Sequence, residues 1–163
     1  MDPAVAARKL LDELGAPCDE DTLALALRKF GIELIEDRAK ELDAMFVYIP
    51  KGRPVIAVNS SRPLRRKRFS IAHELGHFVL GHNSISFFEG ASGMAVCIRH
   101  DARLEREANI FAAELLMPKV ALAREAHKFT LSELASRYLV SNQAMEIRLK
   151  ELGLVCKNAH EVI

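Results

Sequence analysis

The stretch Arg68-Phe69-Ser70-Ile71-Ala72-His73-Glu74-Leu75-Gly76-His77 holds two histidines four residues apart inside a run with helical spacing. Residues four apart lie on one face of a helix, so both imidazoles can reach the same ion. A divalent zinc suits that pair. Glu74 is turned about 100° from His73 around the helix, where it can approach a metal-bound water without ligating the ion. That is the station of a general base.

Outward from this motif, Phe69, Ile71, Ala72, Leu75, Phe78, Val79 and Leu80 supply apolar packing for a helix that starts after Ser60 or Ser61, near Pro63, and runs to about His82. Upstream, Asp2-Pro3 opens a helix that stops at Gly15, and a second begins at Asp19 or Asp21 and ends at Gly31. Three β-like runs follow, Ile32 to Ile35, Ala44 to Ile49 and Pro54 to Val58, with a hairpin turn expected at Pro50 to Arg53. Residues 83–100 show no helical period and read as a long loop with a short strand at Met94 to Ile98. Helices are expected again over Asp101 to Met117, from Pro118 to about Lys128, over Thr130 to Tyr138 and over Ser141 to Leu152. Helices at both ends of a small sheet, without βαβ alternation, make an α+β chain.

A catalytic zinc needs a third protein ligand and an open position. The helix from Arg103 to Met117 offers Glu105, Glu107 and Glu114. Glu107 is the choice, beside Ala108 and Ala112, small residues that let two helices approach. Glu105 is about 200° away from it, so the two do not easily serve one ion. Glu114 comes second, as a ligand or as a partner behind the ligands.

Taken with Glu105-Arg106-Glu107-Ala108-Asn109-Ile110-Phe111-Ala112-Ala113-Glu114-Leu115-Leu116-Met117-Pro118, the motif stretch resembles the ImmA/IrrE family of metallopeptidases. The likeness extends loosely over Ile56-Ala57-Val58-Asn59 and covers most of residues 5–150. It implies a zincin-like core with His73, His77 and Glu107 as ligands and Glu74 as the catalytic glutamate. It further implies a cytoplasmic regulatory peptidase that cleaves a helix-turn-helix repressor or an antitoxin-like partner. Thermolysin-like enzymes carry an Asp four residues after the ligand glutamate; here that position is Phe111, so the contact is expected to come from elsewhere or to be absent.

The expected chemistry is metal-assisted amide hydrolysis, with Glu74 taking the water proton and later protonating the leaving amine. An oxyanion donor is also needed, and His82, His100, His127, Tyr138 and several arginines are candidates. The peptidase domain is expected over residues 1–125, with a small helical region over 126–163. Leu131 to Leu149 resembles a helix-turn-helix whose Asn142, Gln143 and Glu146 would face a DNA groove. DNA contact is the lesser expectation, because Glu133, Glu146 and Glu151 dilute the positive charge.

Composition narrows the rest. The 163 residues are 50% hydrophobic and 28% charged, enough for one core, and 23 Lys and Arg against 22 Asp and Glu leave a net charge of +1. No global field recruits nucleic acid or an anionic membrane. No apolar run reaches the roughly 18 to 20 residues of a membrane span, so a cytoplasmic protein is expected. Cys18, Cys97 and Cys156 are odd in number and far apart, which argues against disulfides and cysteine zinc knuckles. Arg62, Arg65, Arg66, Lys67 and Arg68 read first as a solvated face and second as a docking surface. With the tail, that run supports an alternative: a regulatory module that binds a partner or DNA, its zinc site structural or vestigial.

Overall fold

The computed structural model describes residues 1–15, 21–38, 42–48, 52–82, 95–96 and 101–158. Among them α1 (Pro3–Leu14) and α2 (Asp21–Lys29) precede three strands, β1 (Glu33–Asp37), β2 (Ala44–Tyr48) and β3 (Val55–Asn59). Then come α3 (Leu64–Val79), the two-residue β4 (Ala95–Val96), α4 (Ala102–Leu116), α5 (Lys119–Glu125) and a 3-10 turn over Ala126–Lys128. Helices α6 (Leu131–Arg137) and α7 (Asn142–Leu152) close the order. The α+β, zincin-like architecture expected from the sequence is the one the chain adopts.

The sheet runs β1-β3-β2-β4. β2 and β3 pair antiparallel, as the hairpin reading requires, while β1 pairs parallel to β3. β3 is therefore interior, with Val55, Ile56, Val58 and Asn59 buried, whereas every residue of β1 is exposed on an outer edge. β4 adds to the other edge, pairing antiparallel with β2. It falls inside the short strand expected over Met94 to Ile98, although residues 83–94 and 97–100 of that loop lie outside the described residues.

Local chemistry explains the helix ends that matter. Asp2 Oδ1 accepts from the Val5 N–H at 2.9 Å with Pro3 in the first turn, and Asp101 Oδ1 accepts from the Arg103 N–H at 2.8 Å. The start of α3 differs from the expectation. Neither Ser60 nor Ser61 caps it; the Ser61 N–H and hydroxyl instead donate to Asn59 Oδ1 at 3.0 and 2.7 Å, and the helix follows Pro63.

Helices α3 and α4 form the most extensive helix pair, and α1 also packs on α4. Ala72, Leu75, Phe111, Ala112 and Leu115 are buried where they meet, with Ala6, Ala7 and Leu10 of α1. The spacing of Ala108, Phe111, Ala112 and Leu115 is that of one helical stripe facing a core. Downstream, α7 buries Met145, Arg148 and Leu149 while Asn142, Gln143 and Glu146 stay exposed.

Candidate metal centre

The helical register of α3 carries His73 and His77 to one side, and their Nε2 atoms stand 3.0 Å apart. Glu105, in the first turn of α4, reaches both: Oε2 is 3.1 Å from His73 Nε2 and Oε1 is 3.2 Å from His77 Nε2. One ligand atom from each residue lies within 4.8 Å of the others, a group that could hold a metal ion. His77 is fully buried, His73 is half-buried, and the Glu105 side chain is 39% exposed, so the cluster opens at its glutamate side.

Glu107, the expected third ligand, is not in this group. It faces His82, with Oε2 3.1 Å from His82 Nε2, and Glu105 occupies the place beside the two histidines. The reason is angular. At about 100° per residue Glu105 lies within about 20° of Ala112 around the helix, whereas Glu107 is about 140° from it. Ala112 and Ala108 mark the face pressed on α3, and Glu105, seven and three residues before them, continues that face toward the helix start. The small residues pointed to the right face all along; being next to Ala108 in sequence did not put Glu107 on it.

The shift from Glu107 to Glu105 also moves the position four residues on, from Phe111 to Asn109. Asn109 Oδ1 lies 2.9 Å from His73 Nδ1 and can only accept, so His73 donates from Nδ1 and keeps a lone pair on Nε2. Metal-ligating histidines are commonly held this way. Glu114 is likewise elsewhere: buried, it pairs with the Arg148 guanidinium from α7, while Arg8 Nη1 lies 3.4 Å from its other oxygen. It ties the carboxy-terminal helices to α4.

Glu74 is buried on α3 between the two histidines. Of the oxyanion candidates, His82 sits behind His77, with 2.9 Å between the two Nδ1 atoms. Tyr138 is buried with its hydroxyl 3.3 Å from Glu125 Oε2, and His127 is exposed in the 3-10 turn. His100 lies outside the described residues, as do Cys18 and Cys97; Cys156 is a half-buried free thiol.

The basic run is largely engaged within the fold. Arg62 Nε and Arg66 Nη2 lie 2.7 and 2.6 Å from the Asp43 carboxylate, Lys67 Nζ lies 2.8 Å from Glu36 Oε2, and Arg65 donates to Ser136 Oγ at 3.1 Å. The acids that answer these cations are Glu36 of β1 and Asp43, just before β2. No helix among the described residues is long and apolar enough to cross a membrane.

The peptidase-family model described as the IrrE N-terminal-like domain matches residues 27–150, more than half of the chain. The radiation response metalloprotease IrrE of Deinococcus radiodurans is 32% identical over 108 residues, covering 60% of this chain and 31% of that protein. A solved structure, a Mycobacterium tuberculosis transcriptional regulator, superposes with a TM-score of 0.64 at 18% identity over 98% of this chain and 48% of its own, a likeness of fold. The chain spans less than half the length of either relative.

Proposed function

The chain belongs to the IrrE N-terminal-like peptidase family, and on that premise we propose that it is a zinc-dependent endopeptidase. His73, His77 and Glu105 hold the metal in this reading, and Glu74 is the general base. The observation that carries it is the convergence of two imidazole Nε2 atoms and one carboxylate within 4.8 Å. The donor set fits zinc. With His73 donating outward through Nδ1, its Nε2 lone pair faces His77 Nε2 and Glu105 across a gap that a cation would bridge.

Zinc in that position would polarise the scissile carbonyl and acidify the attacking water. Glu74 accepts the water proton and returns it to the leaving amine nitrogen, one carboxyl serving first as base and then as acid. Asn109 keeps the His73 ring in its working orientation. Glu105, in the first turn of α4, has its negative charge favoured by the amino-terminal end of the helix dipole.

The substrate we propose is a cytoplasmic regulatory protein, a helix-turn-helix repressor or an antitoxin-like partner. The names of the two relatives, one a metalloprotease and the other a transcriptional regulator, support that setting. The engagement of the basic run with Asp43 and Glu36 favours the peptidase over a partner- or DNA-binding module that would need those cations. The test is cleavage of a purified helix-turn-helix partner with and without Glu74→Gln. The expected result is a discrete cut that disappears in the variant while one zinc per chain remains. Cutting that persists in Glu74→Gln removes Glu74 from the mechanism.

A further inference from the structure

Behind His77, on the side away from Glu105, a second chain of polar contacts runs inward from the surface of α4. Glu107 Oε2 lies 3.1 Å from His82 Nε2, and His82 Nδ1 lies 2.9 Å from His77 Nδ1. His82 is buried at 7% exposure and His77 at 1%, so water does not readily substitute for the link between the two rings. The backbone makes this approach specific. Gly81 takes a left-handed φ of 68°, and the His82 N–H donates to His77 O at 3.0 Å, a Schellman-type reversal that folds the residue after α3 back onto its last turn.

The direction of the chain follows from its outer end. A carboxylate only accepts, so His82 donates to it from Nε2; neutral His82 then accepts at Nδ1, and His77 must donate from its own Nδ1. His77 is thereby held in the tautomer whose Nε2 lone pair is free for a metal, which the Glu105 oxygen 3.2 Å from that nitrogen would share with it. Arg103 Nε, 3.7 Å from Glu107 Oε1, flanks the other oxygen.

We propose that His82, backed by Glu107, is a positioning residue of the metal centre, fixing the tautomer and ring orientation of His77. The inference rests on the zinc-site reading above. It gives Glu107 a role through His82, and it makes the two ligand histidines unequal: His73 is backed by a neutral amide, His77 by an imidazole that ends on a carboxylate.

Zinc affinity of the full chain, measured by chelator competition, tests this alongside NMR of the His77 Nδ1 proton in the zinc-loaded protein. His82→Ala should weaken zinc binding by about 10- to 100-fold, the usual cost of removing such a partner, without changing the stoichiometry. The downfield His77 Nδ1 proton signal should be lost with it. His82→Asn, whose Oδ1 can stand where Nδ1 stood, should recover most of both. Glu107→Ala should weaken zinc binding when His82 is present and have little effect in the His82→Asn background, the non-additivity expected of residues acting in series.

Unchanged affinity and an unchanged imidazole proton in His82→Ala would overturn the proposal. So would equal effects of Glu107→Ala in both backgrounds, or loss of stoichiometric zinc in Glu107→Ala, which would make Glu107 a ligand. A wild-type chain that takes up no zinc overturns the metal-site reading itself, and this inference with it. That failure differs from the others because it appears before any substitution is made.

Discussion

Gly76 and Phe111 touch where α3 and α4 press together: a Cβ built on Gly76 would stand 3.0 Å from Phe111 Cδ1 and 3.2 Å from the carbonyl oxygen of Ala108. The glycine inside the H-E-x-x-H motif is therefore the point at which the histidine helix admits the glutamate helix. Phe111 is fully buried and has little room to yield.

Gly76→Ala should destabilise the protein despite the better helix propensity of alanine. Overpacking a close crossing costs about 1 to 3 kcal/mol, against a propensity gain of about 1 kcal/mol. Any separation of the helices also draws Glu105 away from the histidines, so zinc affinity should fall together with the melting temperature. A variant that melts higher and binds zinc unchanged would mean the crossing has slack.

Glu105→Ala should lose stoichiometric zinc, because the two histidines alone leave the ion two protein ligands short of a closed tetrahedron. Elemental analysis after dialysis reads this directly. Retention of one tightly held zinc per chain in Glu105→Ala would remove that residue from the site.

Arg148→Ala should unfold at lower urea. Glu114 and Arg148 are both buried and paired, and the Arg148 Nε–H also donates to Met117 O at 3.1 Å, so the variant leaves the buried Glu114 carboxylate with Arg8 and the Lys119 N–H on one oxygen and without its guanidinium partner on the other. Removing one partner of such a pair costs about 3 to 5 kcal/mol, and Arg8 beside Glu114 favours the lower end. Equilibrium denaturation followed by circular dichroism measures the loss. A change under about 1 kcal/mol would show that α7 is held by apolar packing alone.

The capping box of α6 supplies a pH-dependent contribution. The Thr130 N–H, and then its hydroxyl, donate to Glu133 Oε2 at 2.8 and 2.9 Å and hold that carboxyl below the usual glutamate range. A lowered folded-state value stabilises the fold above the ordinary glutamate range, and the contribution is lost as pH falls through the lowered value. A carboxyl carbon titration should place the Glu133 midpoint below that of an exposed glutamate. Thr130→Ala should raise it only part of the way, because the backbone N–H stays.

That His73 and His77 would share one side of α3 was legible in the sequence because a helix turns each residue through a fixed angle, so spacing alone puts two imidazoles on one face. The same local logic located α1, α4 and the hairpin strands, whose caps and apolar stripes are encoded within a few residues. It did not select Glu105 over Glu107, which depended on the rotation of α4 about its own axis, set by Gly76, Ala108, Phe111 and Ala112 pressing together. Nor did it reveal that β1 would lie parallel to β3, or that Asp43 and Glu36 would answer the basic run of α3. The partners of His82 were hidden for the same reason: a lone histidine has no period, and only the reversal at Gly81 together with the approach of α4 brings it between His77 and Glu107. Spacing along one helix belongs to the sequence, and register between two helices belongs to the packed core that joins them.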